Sequence, residues 1–125
     1  MYFFDLIQIY DFNGDLLKIV NLGGNDDYVK NINHVLYKED YRGCSQCYLT
    51  KDFCYLSRDL YDGKTGKKVE NEILKMDWDG NIVQTIKLSV TLAASFCVEN
   101  DQTLYLIVQN IVDDEEEYLI LSYHF

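Results

Sequence analysis

A chain of 125 residues has room for one domain and not for two of ordinary size. Its 48% apolar and 26% charged residues are normal globular usage, which excludes disordered and low-complexity classes. A formal charge of −10 repels phosphate backbones and anionic lipid, so neither nucleic acid nor a membrane surface is an expected partner.

Two counts point to sheet: there is no proline, and the 11 tyrosines suit strands better than helices. The longest apolar run, Leu104 to Val112, is interrupted by Gln109 and Asn110 and falls well short of the roughly 18 residues of a membrane span. Met1 to Tyr10 holds Asp5 and no Lys or Arg, unlike an export signal, so the chain as written is expected in the cytoplasm. Its four cysteines are accordingly expected as reduced thiols.

In chain order, the first element is Ile7 to Leu22 (IQIYDFNGDLLKIVNL), two strand-type runs around Asn13-Gly14. That pair supplies the positive φ of a tight type I′ turn, which predicts a β-hairpin. Gly23 to Tyr41 opens with a turn cluster, Gly23-Gly24-Asn25-Asp26-Asp27, and is expected to link two units. Gln46 to Ser57 reads as a second hairpin around Lys51-Asp52, followed by a polar segment, Asp59 to Asn71. Ile73 to Leu88 (ILKMDWDGNIVQTIKL) repeats the first hairpin at a shift of 66: Ile7 meets Ile73, Asp11 meets Asp77, Phe12 meets Trp78, Gly14 meets Gly80 and Leu22 meets Leu88. Ser95 to Val108 repeats the second at a shift of 50, with Cys47 on Cys97, Tyr55 on Tyr105 and Leu56 on Leu106. A polar segment, Asn110 to Glu116, then leads to a last strand, Glu117 to Phe125, whose Phe125 stands where Phe12 and Trp78 stand.

Written as four-stranded units a-b-c-d, the chain supplies c and d within 1–23, a full unit within 44–89, and a to c within 90–125. The expected fold is all-β: a partial β-propeller of about nine antiparallel strands in two to three blades, forming a single domain over 1–125. The competing architecture is a plain sandwich or meander with irregularly spaced hairpins.

Few residues carry the pattern of a chemical site. Cys44-Ser45-Gln46-Cys47 lacks the second close pair of a zinc site and enters a strand instead of a helix N-terminus, so neither metal nor redox chemistry is expected. Cys47 and Cys97, at matching places in the repeat, read as small core residues. His34 and His124 have no metal-type partner, and His124, in the place of Asp11 and Asp77, reads as a satisfied polar strand residue. Gly63 to Lys68 lacks the first glycine of a phosphate loop, Tyr61 standing there, and reads as an exposed turn. Asp77 to Asn81 lacks the distal glutamate of a calcium loop, and Asp113 to Glu117 reads as a solvated edge loop. Arg42 and Arg58 are the only arginines and lie near Tyr41 and Tyr61, the composition favoured at binding hot spots. These four are the candidate partner-binding residues, against the ordinary alternative that each arginine pairs with a nearby carboxylate.

The runs Cys54 to Gly63 (CYLSRDLYDG), Glu72 to Asn81 (EILKMDWDGN), Ile86 to Leu88 (IKL), Phe96 to Asp101 (FCVEND) and Thr103 to Tyr105 (TLY) resemble the C-terminal blades of TolB-like six-bladed β-propellers of bacterial envelope proteins. The likeness covers about the last 75 residues and, through the repeat, the first 25. It implies strand cores and turns, hence fold, more than activity. Family members carry an export or lipoprotein signal and six blades, so the resemblance implies a fragment of a larger propeller, with an envelope or periplasmic location for the full-length protein.

The function expected is non-enzymatic: a binding or scaffold domain for a protein or small-molecule ligand, with no cofactor. The alternative is a remnant of a propeller hydrolase or lactonase. Open strand edges are expected to favour self-association.

Overall fold

A computed structural model describes residues 6–22, 40–88 and 93–125. Within them nine strands run in order: β1 (Leu6–Tyr10), β2 (Leu16–Asn21), β3 (Tyr41–Leu49), β4 (Phe53–Tyr61), β5 (Lys68–Asp77), β6 (Ile82–Lys87), β7 (Ala93–Glu99), β8 (Thr103–Val112) and β9 (Glu115–His124). They form three antiparallel sheets, β1-β2, β3-β4-β5-β6 and β7-β8-β9. The architecture is all-β and does not close on itself: a partial propeller, with the four-stranded second sheet covered on both faces. Of the predicted link Gly23 to Tyr41, residues 23–39 lie outside the described residues, as does His34.

Side chains alternate across a strand, so β4 and β5 each feed two cores. Cys54 and Leu56 of β4, with Leu74 and Met76 of β5, face the first sheet and pack with Ile7, Ile9, Val20 and Leu22. Tyr55 and Ile73 face the third sheet and join Phe96, Val98, Leu104, Leu106 and Val108. Both cores are built from the same repeat positions. Ile7, Val20 and Leu22 become Ile73, Ile86 and Leu88 at the shift of 66, while Cys54 and Leu56 become Leu104 and Leu106 at the shift of 50. The repeat is therefore a repeat of packing. Met76, Leu104 and Leu106 are fully buried, each worth roughly 1.5–3 kcal/mol of apolar transfer.

Polar contacts tie the layers at one end. The Lys18 ammonium donates to the Asp79 carbonyl across the first seam. Across the second, the Tyr55 and Thr50 hydroxyls both donate to Asp101 Oδ1 at 2.9 Å, and the Tyr55 ring stacks on Phe125 with centroids 5.9 Å apart. Lys75 sits 4.1 Å above the Phe53 ring, within cation–π range.

The turns differ from expectation in an instructive way. At Asn13-Gly14 and Asp79-Gly80 only the glycine has positive φ, +87° and +86°, so neither is a two-residue type I′ turn. Asp11 Oδ1 accepts from the amides of Asn13 and Asp15, and Asp77 Oδ1 does the same for Asp79 and Asn81. That carboxylate cap favours a three-residue loop, a type I turn followed by a left-handed glycine. These amides also hold the Asp77 carboxyl below its usual range, led by the amide of Asn81. Paired positive φ occurs instead at Asn100-Asp101, 51° and 54°, and at Asp113-Asp114, 52° and 63°, the second being a two-residue hairpin turn. Asn110 to Glu116 is consequently a tight hairpin with Glu115, Glu116 and Glu117 inside β9, not a loop. β4 and β5 likewise extend to Tyr61 and from Lys68, leaving a short turn where a longer polar segment was expected. β3 begins at Tyr41, three residues before the expected unit boundary.

Cys97 corrects a further expectation. Tyr48 lies opposite Tyr55, and it is Cys97 that lies opposite Tyr105, so the shift is 49 in the first strand and 50 in the second. The turn after Glu99 has one residue more than the turn after Thr50, and a one-residue slip moves a side chain to the other face. Cys47 and Cys97 are both exposed; the buried cysteine is Cys54.

Candidate functional site

The structure divides the four predicted contact residues. Arg42 of β3 and Arg58 of β4 lie on the face of the second sheet turned toward the first sheet. Tyr61 is on the opposite face, donating its hydroxyl to Asp59 Oδ2 at 3.1 Å. Tyr41 pairs with Tyr61 through the backbone, and its side chain lies outside the described part of the structure.

Glu72, directly across from Arg58 on β5, draws the two arginines together. Its Oε1 lies 3.4 Å from Arg58 Nη1 and 3.7 Å from Arg42 Nη1, and Arg42 Nη2 reaches Glu70 Oε2 at 3.4 Å. The pairing with carboxylates that the sequence offered as the alternative is thus realised. Glu72 and Arg58 are largely shielded, with side chains 13% and 16% exposed, whereas Glu70 is 58% exposed and easily displaced from Arg42. The group borders an open cavity of about 430 Å³ lined also by Leu22, Leu74, Ile82 and Thr85. One wall is cationic and fixed by Glu72; the others are mostly aliphatic.

On the other face of the same strands lies a polar cluster drawn mainly from the polar segment Asp59 to Asn71. Asp59 is fully buried and Asn71 nearly so, the two being cross-strand partners. Asn71 Nδ2 donates to Asp59 Oδ1 and, at 3.0 Å, to Ser57 Oγ, while Lys68 Nζ lies 3.2 Å from Asp59 Oδ2. The detectable signal was the register itself: once β4 and β5 are paired through to Tyr61 and Lys68, Asp59 meets Asn71 and Arg58 meets Glu72.

The remaining motifs resolve into turn chemistry. In Gly63 to Lys68 the amides of Lys64 and Thr65 donate to Asp62 Oδ1 at 2.8 and 2.9 Å, so the Asp62 carboxylate occupies the place an anion would take. Its pKa is lowered by those same two amides. His124 Nδ1 lies 3.1 Å from Thr103 Oγ1, its cross-strand partner, a satisfied polar strand residue as expected. Among the described residues no group of three or more His, Cys, Asp or Glu is placed to hold a metal ion. No helix among them is long and apolar enough to cross a membrane.

No protein-family model, no curated protein and no solved structure matches the chain.

Proposed function

We propose that this protein is a non-enzymatic binding domain of the propeller type, related to TolB-like propellers, whose ligand seat is the cavity between the first two sheets. The observation carrying this reading is the convergence of Arg42 and Arg58 on Glu72 at the edge of a cavity otherwise walled by Leu22, Leu74 and Ile82. A guanidinium has five N–H donors in a planar fork, so Arg42, held on one side by Glu72, can exchange the exposed Glu70 for a ligand carboxylate on the other. The matching ligand carries a carboxylate beside an apolar body. Its carboxylate takes Arg42 from the exposed Glu70, whose own charge is left to solvent.

Benzoate is a simple probe of that chemistry, followed by amide chemical-shift changes in the intact chain. The expected result is saturable shifts at Leu22, Arg58, Leu74 and Thr85. Arg42→Ala should weaken binding about tenfold, the scale of one lost charge-assisted hydrogen bond, and Glu70→Gln should tighten it. Absence of saturation in the unaltered protein, or equal affinity in the two variants, would overturn the reading.

A further inference from the structure

Among the described residues, the two outer faces of the stack carry the most exposed apolar surface outside the turns. Cross-strand partners share a face, so the free face of the third sheet presents Cys97, Tyr105 and Ser122 in one row. Ser95, Ile107 and Ile120 form the next row, and Gln109 with Tyr118 the third. Ile120 is 74% exposed and Tyr118 62%. The free face of the first sheet presents Gln8 with Ile19 and Tyr10 with Leu16. In a chain that is 26% charged, none of these positions carries a charge; Glu99 and Glu116 stand at the ends of the third-sheet face.

The repeat says what kind of surface covers these faces. In the first seam Ile7 packs in the cluster of Leu74 and Met76, residues of β5. In the second, Ile73, its counterpart, packs with Leu121 and Tyr123, which stand 47 residues after Leu74 and Met76. Ile120 stands 47 residues after Ile73 and so occupies the same place on the third sheet, but it is bare. The surface that would receive it has the counterparts of Leu74 and Met76, and at a shift of 66 those are Gln8 and Tyr10, on the free face of the first sheet. One chain therefore carries both halves of a third seam, at opposite ends.

We infer that a second copy of this chain docks head to tail, the free face of β1-β2 in one copy covering Ile107, Tyr118 and Ile120 in the next. This contact continues the geometry of the two internal seams and does not depend on the cavity. It is heterologous, with different surfaces on the two sides, so successive copies build a ring or an open filament instead of stopping at a symmetric pair.

The test uses the full chain in light scattering and sedimentation, with Ile120→Glu spoiling one face and Ile19→Glu the other; Ile107→Glu and Leu16→Glu serve as second variants if either loses its strand circular dichroism. The unaltered protein should gain mass with concentration. Each single variant should be monomeric, and an equal mixture of the two should form a dimer of twice the monomer mass and nothing larger, because one good face remains on each. An unaltered chain that stays monomeric, a variant that still self-associates fully, or a mixture that remains monomeric would each overturn the proposal.

Discussion

Replacing Gly80 by alanine probes the first seam at a single atom. A Cβ built there lies 2.8 Å from Val20 Cγ2 and 3.3 Å from Lys18 Cε, whereas one built at Gly14, the same place in the first hairpin, meets nothing within 4 Å. The two glycines share nearly the same backbone, φ +86° and +87°, so both substitutions carry the left-handed penalty of about 1–2 kcal/mol. Only Gly80→Ala adds an overpacking cost, about 1–3 kcal/mol more. Urea unfolding followed by far-ultraviolet circular dichroism measures both variants. Gly80→Ala should be the less stable by that difference, equivalent to roughly 4 °C in melting temperature per kcal/mol in a domain of this size. In a Val20→Ala background the shortest contact is gone and only the flexible Lys18 side chain has to shift, so the cost of Gly80→Ala should fall toward that of Gly14→Ala. Equal losses for the two glycines in the unaltered background would refute the packing of the first sheet on the turn of the second.

Asp101→Ala removes the acceptor from the fully buried Tyr55 and should cost about 1–3 kcal/mol in urea unfolding, while Asp52→Ala, in the exposed turn after β3, should stay within about 0.5 kcal/mol. Mass-spectrometric mapping of thiol labelling should find the exposed Cys47 and Cys97 modified first and the buried Cys54 only as the sheet opens. Burial, with a smaller push from Cys47, raises the Cys54 thiol from 9.0 to about 11. The unfolded chain therefore releases this proton first, so the associated stability is complete below pH 9 and is lost as pH rises from 9 through about 11. Tyr55, raised above its usual 10 by burial and then by Asp101, extends the loss to higher pH. Urea midpoints measured against pH should decline over this range, less steeply in Cys54→Ala.

The architecture was legible because the hairpins recur with their core positions intact. Ile7, Val20 and Leu22 at a shift of 66, and Cys54 and Leu56 at a shift of 50, mark equivalent packing sites, which is why three stacked sheets follow from two alignments. Turn chemistry was only half legible. Gly14 and Gly80 did require positive φ, but the aspartate that caps each turn selects a three-residue loop, an effect a two-residue motif does not contain. Cys97 was misplaced because one extra turn residue shifts a whole strand by one position, and face assignment has period two. The arginines were singled out by composition alone. What joins Arg42 to Arg58 is Glu72, visible only once the polar residues from Asp59 to Asn71 are paired across the hairpin. Tyr61 went with them by nearness in sequence, yet its neighbouring parity along β4 sends it to the other face.

The stacking of the three sheets through equivalent residues is tested most directly by nuclear Overhauser contacts between seams in a labelled sample. Cross-peaks are expected from Gly80 Hα to the Val20 methyls across the first seam, and from the Tyr55 ring to the Phe125 ring across the second. Intact strand pairing within each sheet without either set of cross-seam contacts would contradict the stack.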